Sequence, residues 1–475
     1  MDGAHGAGLE VMKMDVLDEE LFLSPGEVSQ RVLVVGGGIA GIQASLDIAS
    51  LGHDVVLVER EPCLGGRMAQ LSAVYPDLEH PVCLLRERMV EVWEHPRVTV
   101  LTNAEIERLD GFAGAFEAGI RLKARHVQES TCNGCGRCWR ECPVRVESEF
   151  DLGIGQRPAI YLPYSQAIPS VPVIDEHNCL HFKGQACSAC VQVCPSGSVD
   201  FGQPDSELSG RFGAVVLATG LALFDPRDCT QYGYGQHPDV ITSLQLERML
   251  ASAGPTKGEV FRPSDRSRPE SFAFICCVGS RDSRLGHPYC SRVCCPNIAK
   301  QIVLLHRLYG DAQFYVLCTD IRTSGKGMEE LVLRAREECG ARYVRGRPAG
   351  VVPSGKRLLV GFERAETPEN ADVEADLVVL AVGLEARPDT VALAGNLGVM
   401  CDENGFVVEA QRQLRPVETC GFGVFVAGSA SGPRDIGETV AQGAAVAIRV
   451  VPFLRRLASK GVSWEELSGP NADWG

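Results

Sequence analysis

Residues 31–60, RVLVVGGGIAGIQASLDIASLGHDVVLVER, leave little choice of fold for the segment that holds them. An apolar strand, Val32–Val35, runs into Gly36-x-Gly38-x-x-Gly41, and a helix carrying Ala44, Leu46, Ile48 and Ala49 follows. A second strand, Val55–Val58, ends in Glu59. The glycines permit a tight turn and let a pyrophosphate approach the helix N-terminus, whose free N–H groups favour anions. Glu59 lies eighteen residues after Gly41, where an acidic side chain can bond ribose hydroxyls. A glycine pattern alone often marks only a turn. Strand, helix, strand and terminal acid together predict a dinucleotide-binding unit.

Three further stretches point to FAD rather than NAD. Gly65-Gly66-Arg67 follows Glu59 closely, as in two-dinucleotide-binding flavoproteins, where that loop lies near the cofactor. VVLATG, ending at Gly220, resembles the strand and turn that re-enter the flavin domain. GVFVAG, ending at Gly428, resembles the late strand that runs beneath the flavin, and Gln442 is expected to begin the helix after it. Each of the last two could be an ordinary buried strand ending in glycine; their order along the chain favours the flavin reading.

Twenty cysteines in 475 residues set the second constraint. The first thirty residues are acidic and lack a signal-peptide pattern, so a cytoplasmic location is expected, where thiols stay reduced. Clustered cysteines there read as metal ligands or redox groups. Cys132-x2-Cys135-x2-Cys138-x3-Cys142-Pro143 is the two-cluster ferredoxin run, and Cys179-x7-Cys187-x2-Cys190-x3-Cys194-Pro195 is a second one. Because the fourth cysteine of each run crosses over, the expected sets are Cys132, Cys135, Cys138 and Cys194 for one [4Fe–4S], and Cys142, Cys179, Cys187 and Cys190 for the other. A zinc site is the weaker reading of eight cysteines with two Cys-Pro endings. The net charge of −15, without a long basic run, argues against nucleic acid or an anionic membrane as partner. No apolar stretch approaches the roughly 18–20 residues of a membrane helix.

A nicotinamide-dependent flavoprotein of this plan needs a second glycine cradle. The corresponding segment, SFAFICCVGSRDS at 271–283, has strand character but one glycine where three are required. In its place stand Cys277-x12-Cys290-x3-Cys294-Cys295. Here the chain resembles the HdrA-like family, the A-type subunits of heterodisulfide reductases, known from flavin-based electron-bifurcating complexes. The resemblance covers roughly 31–455 and is carried by GGRMAQLS (65–72), RMVEVWEHPRVTVLT (88–102), CVGSRDS (277–283), YCSRVCC (289–295), DIRTSGKGMEELV (320–332) and AGSASGPRDIGETVAQ (427–442). It implies a third, unusually ligated [4Fe–4S] beside the flavin, held by Cys277, Cys290, Cys294 and Cys295. It also implies that Lys300 places a cation near the flavin. Read from the residues alone, these four cysteines could be packed thiols, and Lys300 could be solvated.

The predicted class is α/β: a two-dinucleotide-binding, thioredoxin-reductase-like flavoprotein fold with an inserted two-cluster ferredoxin domain. Its expected parts are an arm (1–30), the flavin domain's first part (31–125), the insert (126–205), a return and linker (206–270), a nucleotide-binding-like domain bearing the cysteine site (271–390), the flavin domain's last part (391–455) and a tail (456–475). The resemblance implies bifurcation or confurcation between a partner donor, ferredoxin and a disulfide-type or other high-potential acceptor. Implied partners are B- and C-type heterodisulfide reductase subunits, a hydrogenase- or dehydrogenase-type donor, ferredoxin and a second copy of the chain. Longer members carry a further N-terminal domain and a C-terminal ferredoxin domain, whose electron route is expected here either to come from a partner subunit or to be missing. The competing readings are an NADPH-linked reductase like the glutamate synthase small subunit, which the missing cradle disfavours, and a non-bifurcating wiring protein. Cys276 is expected to be packing, and Cys229, Cys318, Cys339, Cys401 and Cys420 to be core thiols. Cys63, His80 and Cys83 offer three potential ligands near the flavin loop, for which a structural role is favoured over a further metal site.

Overall fold

The computed structural model describes residues 28–364 and 372–460; the arm falls almost wholly outside that range, as does the tail beyond 460. Val32–Val35 and Val55–Val58 are strands joined by the helix Ile39–Ser50. Both strands are apolar throughout because they lie inside a parallel sheet covered on both faces. That sheet has seven strands in the order 409–411, 415–419, 424–426, 214–217, 32–35, 55–58 and 98–101. The five from 424–426 to 98–101 run parallel. Three distant parts of the sequence therefore share one core, in which Leu33, Val216 and Val426 are fully buried. Helix 436–460 packs against helix 39–50. It begins at Ile436, so Gln442 lies inside the helix rather than at its start. Asp435 caps it, its Oδ1 accepting the Glu438 N–H at 2.8 Å.

A three-stranded antiparallel sheet, 104–112, 115–122 and 206–212, forms the neck of the insert. Leu122 pairs with Ser206, so the chain leaves and returns at adjacent points and the main sheet continues undisturbed. Between them lie two short helices packed together, Arg137–Glu141 and Ala189–Gln192, and two small hairpins. The insert has little apolar core of its own. Cys138, Cys142, Cys179 and Cys190 supply much of it, beside Val127, Ile160 and Ile174.

A second seven-stranded sheet runs in the order 240–242, 377–382, 271–278, 313–318, 342–354, 357–364 and 373–375. Helices 294–308 and 328–337 pack on each other beside it. Phe272 and Phe314 stack at 5.6 Å in its core, with Ile298, Ile302 and Leu305 from the first of these helices. This helix delivers Cys294 and Cys295 in its first turn.

Candidate functional site

The glycine turn is shaped for a bulky anion at one point and closed everywhere else. A Cβ on Gly36, whose φ is +115°, would meet the Ala218 carbonyl oxygen at 2.3 Å, and one on Gly41 would meet the Gly36 oxygen at 1.9 Å. Around Gly38 nothing lies within 4 Å of that position. The helix above carries no acidic residue in its first turn, which keeps its positive end free for phosphate. Gly65 closes the far side: its N–H donates to the Gly37 carbonyl at 2.9 Å, and Gly66 brings its backbone against Gly38. Arg67 is exposed, with a guanidinium N–H donated to Gln70 at 2.9 Å.

Glu59 sits at the end of its strand, buried, with both carboxylate oxygens in use. Oε2 accepts the Gly37 N–H at 2.6 Å and Oε1 accepts the Glu61 N–H at 2.8 Å. Burial raises its pKa to about 7 against the pull of those two bonds. Gly220 turns with φ +74° into open space, and Gly428 with φ +68° sits against Ala40. The Gly428 N–H donates to Gln442 Oε1 at 2.7 Å, while Gln442 donates to the Pro416 carbonyl. Gln442 thus holds the turn beneath the cradle through its own bonds. The residues fit a dinucleotide, with Gly38 the position left open for a phosphate to approach.

In the insert, Cys142, Cys179, Cys187 and Cys190 all line one cavity, together with Pro143, Ile160, Ile174 and Phe201. Cys132, Cys135, Cys138 and Cys194 form a second neighbourhood, in which burial, aided by the repulsion of neighbouring thiols, raises Cys132 and Cys138. Cys194 behaves oppositely. Burial raises it, but the Ser196 hydroxyl and the N–H groups of Ser198 and Val199 outweigh that and hold it below the usual thiol value. The Ser198 N–H approaches its sulfur at 3.3 Å. Such N–H···S bonds favour a thiolate, the form that ligates iron. No three His, Cys, Asp or Glu side chains among the described residues converge as they would on a single metal ion. Ligands of a cubane stand at the corners of a cluster, so they need not converge on one atom.

The third set assembles where the second sheet breaks its ladder. The pairing of strand 271–278 with 377–382 shifts between Ile275 and Val278. Within that bulge Cys277 takes φ +61°, a left-handed conformation uncommon for a side-chain-bearing residue. It is thereby brought beside Cys290, Cys294 and Cys295, and burial, followed by the neighbouring thiols, pushes Cys294 upward. Cys295 is raised to about 11 by burial and lowered in part by the Arg322 N–H. The Arg281 guanidinium hydrogen-bonds the Cys277 sulfur and pairs with Asp320. The Arg292 N–H reaches the Cys290 sulfur at 3.3 Å. The lone glycine of this segment, Gly279, serves packing, since a Cβ there would lie 2.1 Å from the Phe224 ring.

Residues 31–126 match the family model described as FAD dependent oxidoreductase. The iron-sulfur A subunit of the CoB–CoM heterodisulfide reductase of Methanocaldococcus jannaschii is 44% identical over 428 residues, 89% of this chain and 64% of that protein. The A subunit of the H(2):CoB-CoM heterodisulfide,ferredoxin reductase of Methanothermobacter marburgensis is 40% identical over 460 residues, 96% of this chain and 69% of that protein. The chain belongs to the HdrA family of heterodisulfide reductase subunits. It is an oxidoreductase family, and the chain spans about two thirds of the length of these two relatives. Solved thioredoxin reductases share its fold. That of T. acidophilum has a TM-score of 0.51 at 13% identity, over 91% of this chain and 100% of its own. That of Lactococcus lactis has 0.50 at 14%, over 90% and 100%.

In this family member Lys300 is fully buried. Its Nζ donates to the Ala73 carbonyl at 2.9 Å and pairs with Glu247 Oε2 at 2.9 Å, a carboxylate equally buried. Burial lowers the lysine pKa and the Glu247 charge opposes that. Glu247 also accepts from the Ser72 N–H and hydroxyl and from Gln301. Next to it Arg248 bonds the Gln70 carbonyl and Asp151, and Gln70 donates to the Phe150 carbonyl. The flavin loop, the insert and the cysteine-bearing helix are thus tied by one buried polar knot. Of its members only Lys300 is singled out by the sequence. No helix of the described residues is long and apolar enough to cross a membrane. Cys276, Cys229, Cys318 and Cys339 are buried as expected, and Cys401 is half-buried; Cys420 is exposed, and so is not a core thiol.

Proposed function

We propose that this chain is the flavin- and iron–sulfur-bearing electron-transfer component of a cytoplasmic redox complex. One observation carries the reading: a four-cysteine set stands where a second nucleotide cradle belongs. Without that cradle the second domain offers no seat for a nicotinamide pyrophosphate, and the four sulfurs suit a one-electron carrier. FAD, held by Gly36, Gly38, Gly41, Glu59, Gly65, Gly66, Arg67, Gly220 and Gly428, supplies exchange between electron pairs and single electrons when bound. Cys277, Cys290, Cys294 and Cys295 would hold the nearby [4Fe–4S], and the eight insert cysteines two more.

The chain's own residues hold these sites in place relative to one another. The buried knot around Lys300 and Glu247 locks the flavin loop to the helix that carries Cys294 and Cys295. The insert's neck sets its clusters on the same body as the flavin. Relatives bear names that join ferredoxin, or F(420)H(2), to a CoB-CoM heterodisulfide. Those names favour bifurcation or confurcation between a partner donor, ferredoxin and a disulfide-type acceptor. The partners are B- and C-type subunits, a hydrogenase- or dehydrogenase-type donor and a second copy of this chain. The test is anaerobic stopped-flow reduction of the purified chain. Reduced ferredoxin should bleach its visible absorbance, and NADPH or NADH should leave it unchanged; rapid bleaching by either nicotinamide would overturn the reading.

A further inference from the structure

Two sulfurs outside the twelve proposed ligands lie together beside the third set. Cys276, within strand 271–278, and Cys318, the last residue of strand 313–318, lie on neighbouring parallel strands one step beyond the registered pair Ile275–Leu317. Both are buried within one apolar cluster that includes Phe274 and Ile302. Their side chains hydrogen-bond to each other. Adjacent strands lie about 4.8 Å apart, within the roughly 4.4–6.8 Å between Cα atoms that a disulfide spans. Packing alone would be served as well by alanine or valine, and it does not account for a sulfur pair in hydrogen-bond contact.

A third polar group stands with them. Tyr343, on the next strand and packed against the same cluster, has a buried hydroxyl with no hydrogen-bond partner. Both thiols act on it electrostatically. The four cysteines alongside are only partly buried, whereas Cys276 and Cys318 are buried.

We propose that Cys276 and Cys318 form a peroxide-reactive dithiol that closes to a disulfide beside the third cysteine set. Cys318, the last residue of its strand, is the attacking thiol, with Asp320, Arg336 and Arg345 nearby. Its sulfur attacks one oxygen of hydrogen peroxide, the O–O bond breaks, and the departing hydroxide takes the thiol's proton as water. Cys318 is then a sulfenic acid. The Cys276 thiol attacks that sulfur, the S–O bond breaks, and a second water leaves as the S–S bond forms. Two thiols have lost two electrons and two protons, and one peroxide has become two waters. The unpaired Tyr343 hydroxyl is the polar group available to the leaving oxygen. This step does not depend on how the third set is ligated.

The test uses the full chain, purified anaerobically and given one equivalent of hydrogen peroxide. Acid quench, thiol alkylation and proteolysis then precede mass spectrometry. The expected result is one dithiothreitol-reversible link per chain between the peptides holding Cys276 and Cys318. It should persist in Cys277→Ala and vanish in Cys276→Ala, which separates the two adjacent cysteines. No link in the parent protein, or a link retained in Cys276→Ala, would overturn the proposal. So would a loss of about four irons in Cys318→Ser, which would make Cys318 a cluster ligand.

Discussion

A methyl group is a sharp probe of the glycine turn, because Gly38 and Gly41 face opposite surroundings. At Gly41 it would collide with backbone 1.9 Å away, so Gly41→Ala must push helix 39–50 off its strand. A destabilisation of about 1–3 kcal/mol or more is expected, with loss of flavin. Gly38 has φ −76° and open space, so Gly38→Ala should lose flavin yet keep the melting temperature of the flavin-free parent. Thermal denaturation and flavin absorbance of both variants check the pair; equal melting temperatures would contradict it. Glu59 gives a pH signature. Its carboxyl holds a proton more tightly folded than unfolded, since burial raises its pKa from 4.5 to about 7. The flavin-free chain should therefore lose up to about 3 kcal/mol relative to Glu59→Gln as pH climbs from 4.5 to 7, and be unaffected below that window. Denaturant titrations across that window measure it, and a pH-independent difference would count against the burial of this carboxyl. The glycines and Glu59 were legible in sequence because their spacing is local. That both oxygens of Glu59 serve backbone N–H groups was not, since spacing locates a carboxylate without assigning its bonds.

Between elements, Lys300 and Glu247 form a fully buried ion pair. Lys300→Met would strand Glu247 inside the protein, and breaking such a pair costs about 3–5 kcal/mol. Replacing both partners, Lys300→Met with Glu247→Leu, should recover part of that loss. Urea denaturation of the two variants decides it, and a double variant as weak as the single would place the stability in the Ser72 and Gln301 bonds instead. Nothing in the sequence announces this pair. Glu247 lies in an amphipathic helix of ordinary composition, more than fifty residues from position 300, and only the packing of helices 243–250 and 294–308 within the second domain brings them together. The same is true of Cys276 and Cys318, whose adjacency depends on strand order. By contrast the loss of the second nucleotide cradle was readable, because the strand's glycines are missing where a nucleotide site demands them. The bulge that turns Cys277 toward its neighbours was not.

Over the whole molecule, the order of the flavin-type strands along the chain was readable from three short motifs, although they lie almost four hundred residues apart. Each motif is a buried strand ending in glycine, a local pattern. The neck of the insert escaped notice, because antiparallel pairing of 115–122 with 206–212 leaves no signal beyond alternation. The cysteine runs were legible through spacing alone, and the cavity lined by Cys142, Cys179, Cys187 and Cys190 gathers residues from both runs. The central claim is that a third cluster site replaces a nicotinamide site. Iron, sulfide and flavin analysis of the anaerobically purified chain tests it most directly. Three four-iron clusters predict about twelve irons, about twelve sulfides and one FAD per chain, falling to about eight irons in Cys290→Ala with flavin retained. Eight irons in the parent chain, or no loss of iron in that variant, would contradict the account.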